Sequence, residues 1–391
     1  MSVLHNFLSG VRILDLSQYI PGPLASLLLA DMGAHVLKIE PPYGDQMREL
    51  GPRTAAGEPI FYGALNAGKT VRRMNLKDAG ERAGFLDLVR EYDVLIEGFR
   101  PGVMARLGLD YPQLTAINPG LIWCSLSGFG ATGPDIDKAA HDGNYLAVSG
   151  ILDRNGADEP EFFDPPITDV AGSLFAAVAI LGALHGRERT GKGCQIDLAL
   201  ADVAMPLQLM QIAAFGANGL IPSRRSTYLN GGAAYYRIYR TADDGHVMLA
   251  AVEPKFWTAF CQAAGRTDWI VRQDEPLPQS ALAADVQEFF AELTLAQVEQ
   301  RFGGTDCCLS PVLNLEQALK SPRVAARGLV RPDSRSGELQ ALFPALFNGQ
   351  APHIRPPVVV EQSLLQAPPS CRSRVNDCQR PEETRCRSDK G

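Results

Sequence analysis

The chain has 391 residues, of which 46% are hydrophobic and 21% are charged, a composition that is ordinary for a globular protein. Because this length exceeds one ordinary compact core, we expect two domains. The net charge of −7 argues against nucleic acid or an anionic membrane as the main partner.

Signals for membrane insertion and export are the next features to consider. No run approaches the roughly 18 consecutive apolar residues of a membrane span. The N-terminus, MSVLHNFLSG, lacks the basic and apolar regions of a signal peptide. The eight cysteines form no CxxC pair, which favours reduced, structural thiols. We therefore expect a cytoplasmic protein without a membrane partner.

The N-terminal third of the chain alternates between strand and helix patterns. We predict strands at Val11–Ser17, Ala34–Glu40, TVRRMNL, Asp93–Phe99 and Leu121–Ser127, with helices at PGPLASLLLADMG and DAGERAGFLDLVREY. This alternation is typical of a doubly wound, mostly parallel, Rossmann-like α/β sheet. Ligands in such sheets bind beyond the carboxyl ends of the strands. The loops PPYGD, Arg100 and SGFGATG follow strands and are therefore predicted walls of a site.

The segment GFGATG (Gly128–Gly133) matches the GxGxxG pattern of dinucleotide-binding proteins. That fingerprint belongs after the first strand and opens a helix, whereas this copy follows a late strand and runs into Pro134. We therefore interpret it as a turn that lets a ligand approach the backbone.

The most strongly predicted helix runs from Asp169 to Gly193 and is apolar nearly all round from Val170 to Leu184, so we expect it to be buried. Asp169 stands at its beginning, where an isolated aspartate is ordinarily an N-cap. A further apolar helix is predicted at DLALADVAMPLQLMQIAAFG. From Tyr235, two strands joined by an Asp-Gly turn lead into a helix, which predicts a smaller α+β domain.

These patterns divide the chain into four parts. Residues 1–200 form a large Rossmann-like domain, completed by about 325–362. Residues 201–230 are a linker, residues 231–324 are the small α+β domain, and residues 363–391 are a tail expected to be disordered because it is rich in proline, serine and arginine.

The segment HDGNY, which begins at His141, combines a His-Asp pair with Asn-Tyr. From the residues alone it is a catalytic cluster, a metal-ligand set or a buried polar knot. No HxH or HExxH pattern accompanies it, so we expect no metal site.

Seven blocks of the chain resemble family III CoA-transferases of the CaiB/BaiF type, from about residue 10 to 350. The blocks are PGPLASLLLADMGAHVLKIEPP, DVLIEGFRPGVMARLGLDY, NPGLIWCSLSGFGATGP, HDGNYLAVSG, RTGKGCQIDLALADVA, YRTADDGHVMLAAVEPKFW and DCCLSPVLNLEQAL. The resemblance implies an acyl-CoA substrate and an intertwined, ring-like homodimer, with no cofactor beyond the coenzyme A of the substrate.

Within this superfamily, the site blocks are most similar to α-methylacyl-CoA racemases. The resemblance implies that His141 and Asp169 are two bases on opposite faces of the α-carbon and that Glu253 orients the histidine. It further places CoA beside a set of seven residues: Lys38, Asn75, Lys77, Arg100, Ala140, Asp142 and Tyr145.

The chemistry of racemisation agrees with that assignment, since one proton must leave the α-carbon and another must arrive from the opposite face. A second reaction remains open. In the transferases, the aspartate that corresponds to Asp169 is a nucleophile that carries the acyl group and then CoA. The loop KIEPPYGD resembles the transferase version, whereas the complete set of His141, Asp169 and Glu253 favours a racemase.

Overall fold

The computed structural model describes residues 3–361, so the tail predicted to be disordered, 363–391, lies outside the described residues. The strands of the described chain are β1 (Arg12–Leu16), β2 (His35–Glu40), β3 (Thr70–Arg73), β4 (Val94–Glu97), β5 (Ile122–Ser127), β6 (Gln195–Ala199), β7 (Tyr236–Arg240), β8 (His246–Ala250), β9 (Leu309–Pro311), β10 (Val330–Pro332), β11 (Leu339–Ala341) and β12 (Val359–Val360). The α-helices are α1 (Pro21–Asp31), α2 (Ile60–Asn66), α3 (Ala79–Glu91), α4 (Val103–Arg106), α5 (Tyr111–Ile117), α6 (Asp142–Val148), α7 (Ile151–Arg154), α8 (Ile167–Thr190), α9 (Leu200–Val203), α10 (Leu209–Asn218), α11 (Pro254–Ala264), α12 (Ser280–Ala291), α13 (Leu295–Phe302), α14 (Leu315–Leu319) and α15 (Pro322–Arg327). Short 3-10 helices cover Val3–Asn6, Gln46–Glu49, Pro206–Gln208 and Thr267–Asp274.

A seven-stranded parallel sheet forms the centre of the molecule, in the order β12-β3-β2-β1-β4-β5-β6. Without the edge strand β12, this is the 3-2-1-4-5-6 order of a doubly wound Rossmann-type sheet. The predicted mostly parallel α/β sheet is confirmed. The strands β6 and β12 were not among the predicted strands.

Alternate residues of the central strands pack on opposite faces of this sheet. Ile13 and its neighbours form one core with Leu29 of α1 and Ile180 of α8. Leu14 and its neighbours form the other core with Phe85 of α3 and with α5. Each large apolar side chain buried in this way contributes about 1.5–3 kcal/mol, which explains why these strands are continuous apolar runs.

The connections after the adjacent strands β1 and β4 leave on opposite faces of the sheet. Helix α1, which follows β1, packs on the Ile13 face, whereas α5, which follows β4, packs on the Leu14 face. The two loops therefore diverge at the carboxyl edge of the sheet and leave a crevice between them.

A cluster of buried charges lies just beneath that crevice. The side chains of Asp15, Lys38 and Lys69 have no exposed surface. The Nζ atom of Lys69 is 3.3 Å from Oδ2 of Asp15, and the Nζ atom of Lys38 is 3.0 Å from Oδ2 of Asp45. Burial alone would raise the pKa of Asp15, but the charges of the two lysines outweigh it and hold that pKa well below its ordinary range.

A separate three-stranded antiparallel sheet, β7-β8-β9, follows in the region predicted as the small α+β domain. Its hairpin turns at Asp244, which has a φ of +61° and precedes Gly245, as expected for an Asp-Gly turn. Trp257, Phe260 and Phe290 fill the core beneath this sheet. The chain then returns to the large sheet, where Val359 of β12 pairs with Thr70 of β3. The exact domain boundaries stay a prediction.

Two expectations about apolar helices were wrong. Helix α8 is buried on one face only, and Leu174 and Val178 are 51% and 65% exposed. The predicted helix after Gly193 is instead strand β6, then α9, then a break at Pro206, because proline cannot donate to the helix ladder. Helix α10, which follows, buries none of its residues.

Two segments are long and apolar enough to cross a membrane by length and composition alone, Ile167–Thr190 and Leu200–Asn218. This differs from the expectation that no segment approaches such a span. The first packs on the sheet through Ala176 and Ile180, and core helices of this kind pass the same test.

Replacing Lys69 by methionine should lower the free energy of unfolding by about 3–5 kcal/mol, because the Asp15 carboxylate then stays buried without one of its counter-charges. The double variant Asp15→Asn/Lys69→Met should lose less than Lys69→Met alone. Urea unfolding at a fixed protein concentration measures both. Lys320→Met, which removes an exposed pair with Glu316, is the control and should change little. If Lys69→Met is as stable as the wild type, the cluster is not held by charge.

Candidate functional site

The crevice between the loops after β1 and β4 is a cleft of about 490 Å³. Its walls come from the loops after three adjacent strands, β1, β4 and β5, and from the starts of α6 and α8. The lining residues are Ser17, Gln18, Tyr19, Pro21, Gly22, Gln46, Gly98, Phe99, Arg100, Pro101, Leu126, Ser127, Gly128, Phe129, Ile136, Lys138, Ala139, Ala140, His141, Tyr145, Asp169 and Leu200. This is the position at which doubly wound sheets bind their ligands.

His141 lies on the wall of this cleft as the N-cap residue of α6. Its backbone N–H donates to Oδ1 of Asn144 at 3.0 Å, which holds the turn that begins the helix. The imidazole is exposed, and its ring meets the ring of Tyr19 edge-on, with the centroids 6.5 Å apart. The histidine side chain is therefore accessible from the cleft.

Asp169 lies in the first turn of α8 and lines the same cleft. Pro166, not Asp169, occupies the N-cap position. Burial and then the nearby charge of Asp142 raise the pKa of Asp169 to about 6. The two predicted bases thus line the same cleft. The pKa of the Asp169 carboxyl group is shifted toward neutrality, close to the ordinary pKa of a histidine.

Asp142 joins the helices that carry these two residues. Its Oδ1 atom accepts from the backbone N–H of Thr168 at 2.6 Å and from that of Asp169 at 3.1 Å. It also accepts from the Thr168 hydroxyl at 2.5 Å. Because these N–H groups belong to the first turn of α8, Asp142 satisfies donors that no helical carbonyl can reach. The Asp142 side chain itself does not line the cleft.

Ala140 and Tyr145, which the resemblance places beside CoA, also line the cleft. The Tyr145 hydroxyl donates to the Ala140 carbonyl at 3.0 Å, and burial followed by the charge of Asp169 raises the pKa of Tyr145 to about 12. Gly128 leaves room for this ring, since a Cβ there would lie 2.8 Å from the tyrosine hydroxyl. The glycine turn after β5 thus brings its backbone to the site.

The remaining predicted CoA contacts divide into three groups. Arg100 is exposed on the cleft wall, and no ion pair holds it within residues 3–361. Asn75 and Lys77 follow β3 at the same edge of the sheet but lie outside the cleft. Lys38 is fully buried, and its Nζ donates to the Ser17 carbonyl at 2.6 Å beneath the cleft. A lysine so placed presents no group to a ligand.

Glu253 is not brought to His141 within this chain. It is exposed at the start of α11, beside the antiparallel sheet, and it does not line the cleft. No ion pair joins it to the histidine among the described residues. The predicted orienting role of Glu253 therefore stays a prediction.

Several lining residues were not predicted from the sequence. The loop SQYI after β1 contributes Ser17, Gln18 and Tyr19, although the rule that placed a site at strand ends applies equally to it. The predicted wall PPYGD contributes nothing itself, and only the following Gln46 reaches the cleft. No group of three His, Cys, Asp or Glu side chains suited to a metal occurs within residues 3–361.

Comparisons with known proteins now identify the class. Residues 8–358 match CoA-transferase family III. The chain is 32% identical over 365 residues to an acetyl-CoA:oxalate CoA-transferase of Acetobacter aceti, covering 89% of this chain and 91% of that protein. It is 33% identical over 325 residues to the human alpha-methylacyl-CoA racemase, covering 82% and 81%.

Solved structures agree with this fold. A CAIB/BAIF family protein from Brucella suis matches with a TM-score of 0.78 and 27% sequence identity, covering 90% of this chain and 95% of that one. The α/β fold with its large parallel sheet is thus shared with that CAIB/BAIF family protein. The chain belongs to CoA-transferase family III, whose members among its relatives include both transferases and racemases.

The raised pKa of Asp169 predicts a pH-dependent effect of Asp169→Asn on stability. Because the folded-state pKa of about 6 exceeds the ordinary value of 3.8, ionisation of Asp169 costs stability progressively as the pH rises between these values. The variant should therefore be more stable than the wild type at neutral pH by about 1–3 kcal/mol, and this difference should vanish near pH 4.

Urea unfolding of both proteins across this pH range measures the difference. Asp158→Asn, which removes an exposed carboxylate outside the cleft, is the control and should show no such pH dependence. A constant difference between Asp169→Asn and the wild type would contradict the raised pKa.

Proposed function

We propose that this protein is a 2-methylacyl-CoA racemase, which inverts the α-carbon of its substrate by two-base proton transfer. The observation that carries this proposal is that His141 and Asp169 line one cleft while the pKa of Asp169 is raised to about 6. A carboxyl group whose pKa lies this near neutrality can both donate and accept a proton, as a reaction that runs in both directions requires.

The reaction needs one base in each protonation state. Neutral His141 removes the α-proton and becomes an imidazolium, and protonated Asp169 donates its proton to the opposite face of the α-carbon and becomes a carboxylate. The opposite enantiomer uses the two groups in reverse. Between these steps the thioester is an enolate, and in this proposal the backbone N–H of Asp142, in the first turn of α6 next to His141, would donate to its oxygen. No cofactor beyond the CoA of the substrate is needed.

The chemistry of the cleft wall suits a hydrocarbon acyl chain attached to CoA. Phe99, Phe129 and Leu200 supply apolar surface, and Arg100 supplies an unpaired cation for a phosphate. Asn75 and Lys77 follow β3, which is two strands from β1, or about 10 Å along the edge of the sheet. An extended CoA lying along this edge would reach from the cleft to these residues.

A homodimer is the second part of the proposal. Leu174 and Val178 of α8 and most apolar residues of α10 are exposed, including Leu209 and Phe215 at 64% and 56%. Large apolar side chains exposed in this number indicate a protein interface. In such a dimer, Glu253 of the partner subunit is available to orient His141, which the same chain does not provide.

The alternative is CoA transfer through Asp169. Its carboxylate would attack the thioester carbonyl and expel the CoA thiolate, and the thiolate would then attack the aspartyl carbonyl and release the acyl group as a carboxylate. The similarity to an acetyl-CoA:oxalate CoA-transferase over 89% of the chain favours this reading. The raised pKa of Asp169 disfavours it, because a nucleophile must be ionised.

Deuterium exchange separates the two reactions. In deuterated water without a second acid, the wild-type enzyme should incorporate deuterium at the α-position of a 2-methylacyl-CoA, as followed by NMR or mass spectrometry. His141→Ala and Asp169→Asn should each slow this incorporation by about 10²–10⁴-fold, because each removes one of the two bases. His246→Ala, an exposed histidine outside the cleft, is the matched control and should exchange normally.

Absence of exchange by the wild-type enzyme, despite binding of the acyl-CoA, would overturn the racemase proposal. A hydroxylamine-sensitive intermediate on Asp169 together with full activity of His141→Ala would instead establish CoA transfer.

The proposed dimer predicts the effect of a charge on its apolar face. Phe215→Glu should weaken self-association at least about tenfold, because an unpaired carboxylate would have to leave water. Sedimentation velocity over a concentration series measures this. Val271→Glu replaces an even more exposed apolar residue outside α8 and α10 and should leave association unchanged. A wild-type protein that sediments as a monomer at every concentration would exclude the dimer.

A further inference from the structure

The loop between β1 and α1 is fastened at both ends by the buried charges. At its start, the backbone N–H of Ser17 donates to Oδ1 of Asp15 at 2.9 Å, and the Ser17 carbonyl accepts from Nζ of Lys38 at 2.6 Å. At its end, the Pro23 carbonyl accepts from Nζ of Lys69 at 2.8 Å. Both backbone polar groups of Ser17 therefore point into the protein.

Tyr19 lies in the middle of this fastened loop and has a left-handed backbone, with a φ of +63°. For a bulky residue this conformation is unfavourable, and it persists only where the surroundings impose it. Gly22 confirms how tightly the loop is folded, since a Cβ at that position would lie 2.1 Å from the Ser17 side chain.

The strained backbone directs the Tyr19 side chain into the cleft. Its hydroxyl donates to Oε1 of Gln46, and its ring meets the His141 ring in an edge-on contact. All three residues line the cleft. The Tyr19 ring is thus held by Gln46 and lies edge-on beside the imidazole.

We infer that Tyr19 is a positioning residue for His141, and that the buried cluster of Asp15, Lys38 and Lys69 imposes the backbone strain that keeps it there. The inference rests on the proposed function only in giving His141 a catalytic task. The cluster holds the loop, the loop holds the tyrosine ring, and the ring limits the orientations open to the histidine.

The strain has its own test, which does not depend on activity. Tyr19→Ala and Tyr19→Gly both remove the ring, so their difference reports the backbone alone. Glycine ordinarily destabilises a protein relative to alanine, but at a left-handed position the order reverses. The melting temperature of Tyr19→Gly should exceed that of Tyr19→Ala by about 1–2 °C. The same pair at Gln18, which has no left-handed backbone, should show the ordinary order.

The positioning role is tested on the histidine directly. Diethylpyrocarbonate should modify His141 at least about twofold faster in Tyr19→Ala than in the wild type, because the tyrosine ring no longer lies beside the imidazole. In Tyr19→Phe, which keeps an aromatic ring, His141 should react at the wild-type rate. Peptide mass spectrometry gives the rate at each histidine, and the exposed His246 is the internal control. In the exchange assay, Tyr19→Ala should lower kcat by about 10–100-fold with a smaller change in KM. Tyr19→Phe should retain most of the wild-type kcat.

Each outcome bears on one proposal. If Tyr19→Gly is less stable than Tyr19→Ala, or if His141 reacts equally fast in Tyr19→Ala and the wild type, the positioning role of Tyr19 is overturned. If instead the wild-type enzyme catalyses no exchange, the racemase proposal fails, while the stability order and the modification rates still decide whether Tyr19 holds His141.

Discussion

The site depends on one topological constraint, which is that β1 and β4 are neighbours whose following connections leave on opposite faces of the sheet. This divergence opens a crevice that no side chain of the sheet can fill, and the loops after β1, β4 and β5 become its walls. Helices α6 and α8 then begin at the rim of this crevice, so His141 and Asp169 both line it although they are 28 positions apart along the chain. Asp142 fastens the two helix starts together and sets the charge environment of Asp169.

The residues beneath this crevice must hold its loops in place, and the buried charged side chains do so through hydrogen bonds. Asp15, Lys38 and Lys69 occupy the polar layer between the apolar core and the cleft, and hydrogen bonds join them to the backbone of Ser17 and Pro23. Charges that are buried without a functional reason are replaced by apolar groups at little cost to stability. Their placement under a ligand cleft, where directional hydrogen bonds fix the backbone, is the arrangement in which such a cluster has an advantage over a purely apolar core.

Much of this architecture could be predicted from the sequence, and the parts that could not have physical reasons. The strands β1, β2, β4 and β5 are continuous apolar runs because both of their faces are covered, and such runs are readable. Strand β6 alternates between half-buried and exposed positions at an edge of the sheet, so its pattern was assigned to a helix. The apolar character of α8 predicted burial correctly for one face, but hydropathy does not tell a core from an interface.

For the site, local sequence pointed to His141 and Asp169 but not to their surroundings. The resemblance predicts that Lys38 contacts CoA, and only the tertiary structure shows that Asp45 and the Ser17 carbonyl hold it instead. The left-handed backbone of Tyr19 has no signal in the sequence, since the loop contains glycine only at Gly22. The burial of Lys38 and the backbone conformation of Tyr19 are imposed by groups distant in the chain. The conformational and burial preferences of single residues therefore do not predict them.

Helix α8 has a consequence for how the protein behaves as it is diluted. Its first turn carries Asp169, and its next turns expose Leu174, Phe175 and Val178. The same helix therefore lines the cleft at its first turn and exposes an apolar surface to water in the turns that follow. In the proposed dimer, the partner subunit would cover that surface and support the helix that carries Asp169. Specific activity would then depend on protein concentration as well as on sequence, because dilution would remove this support.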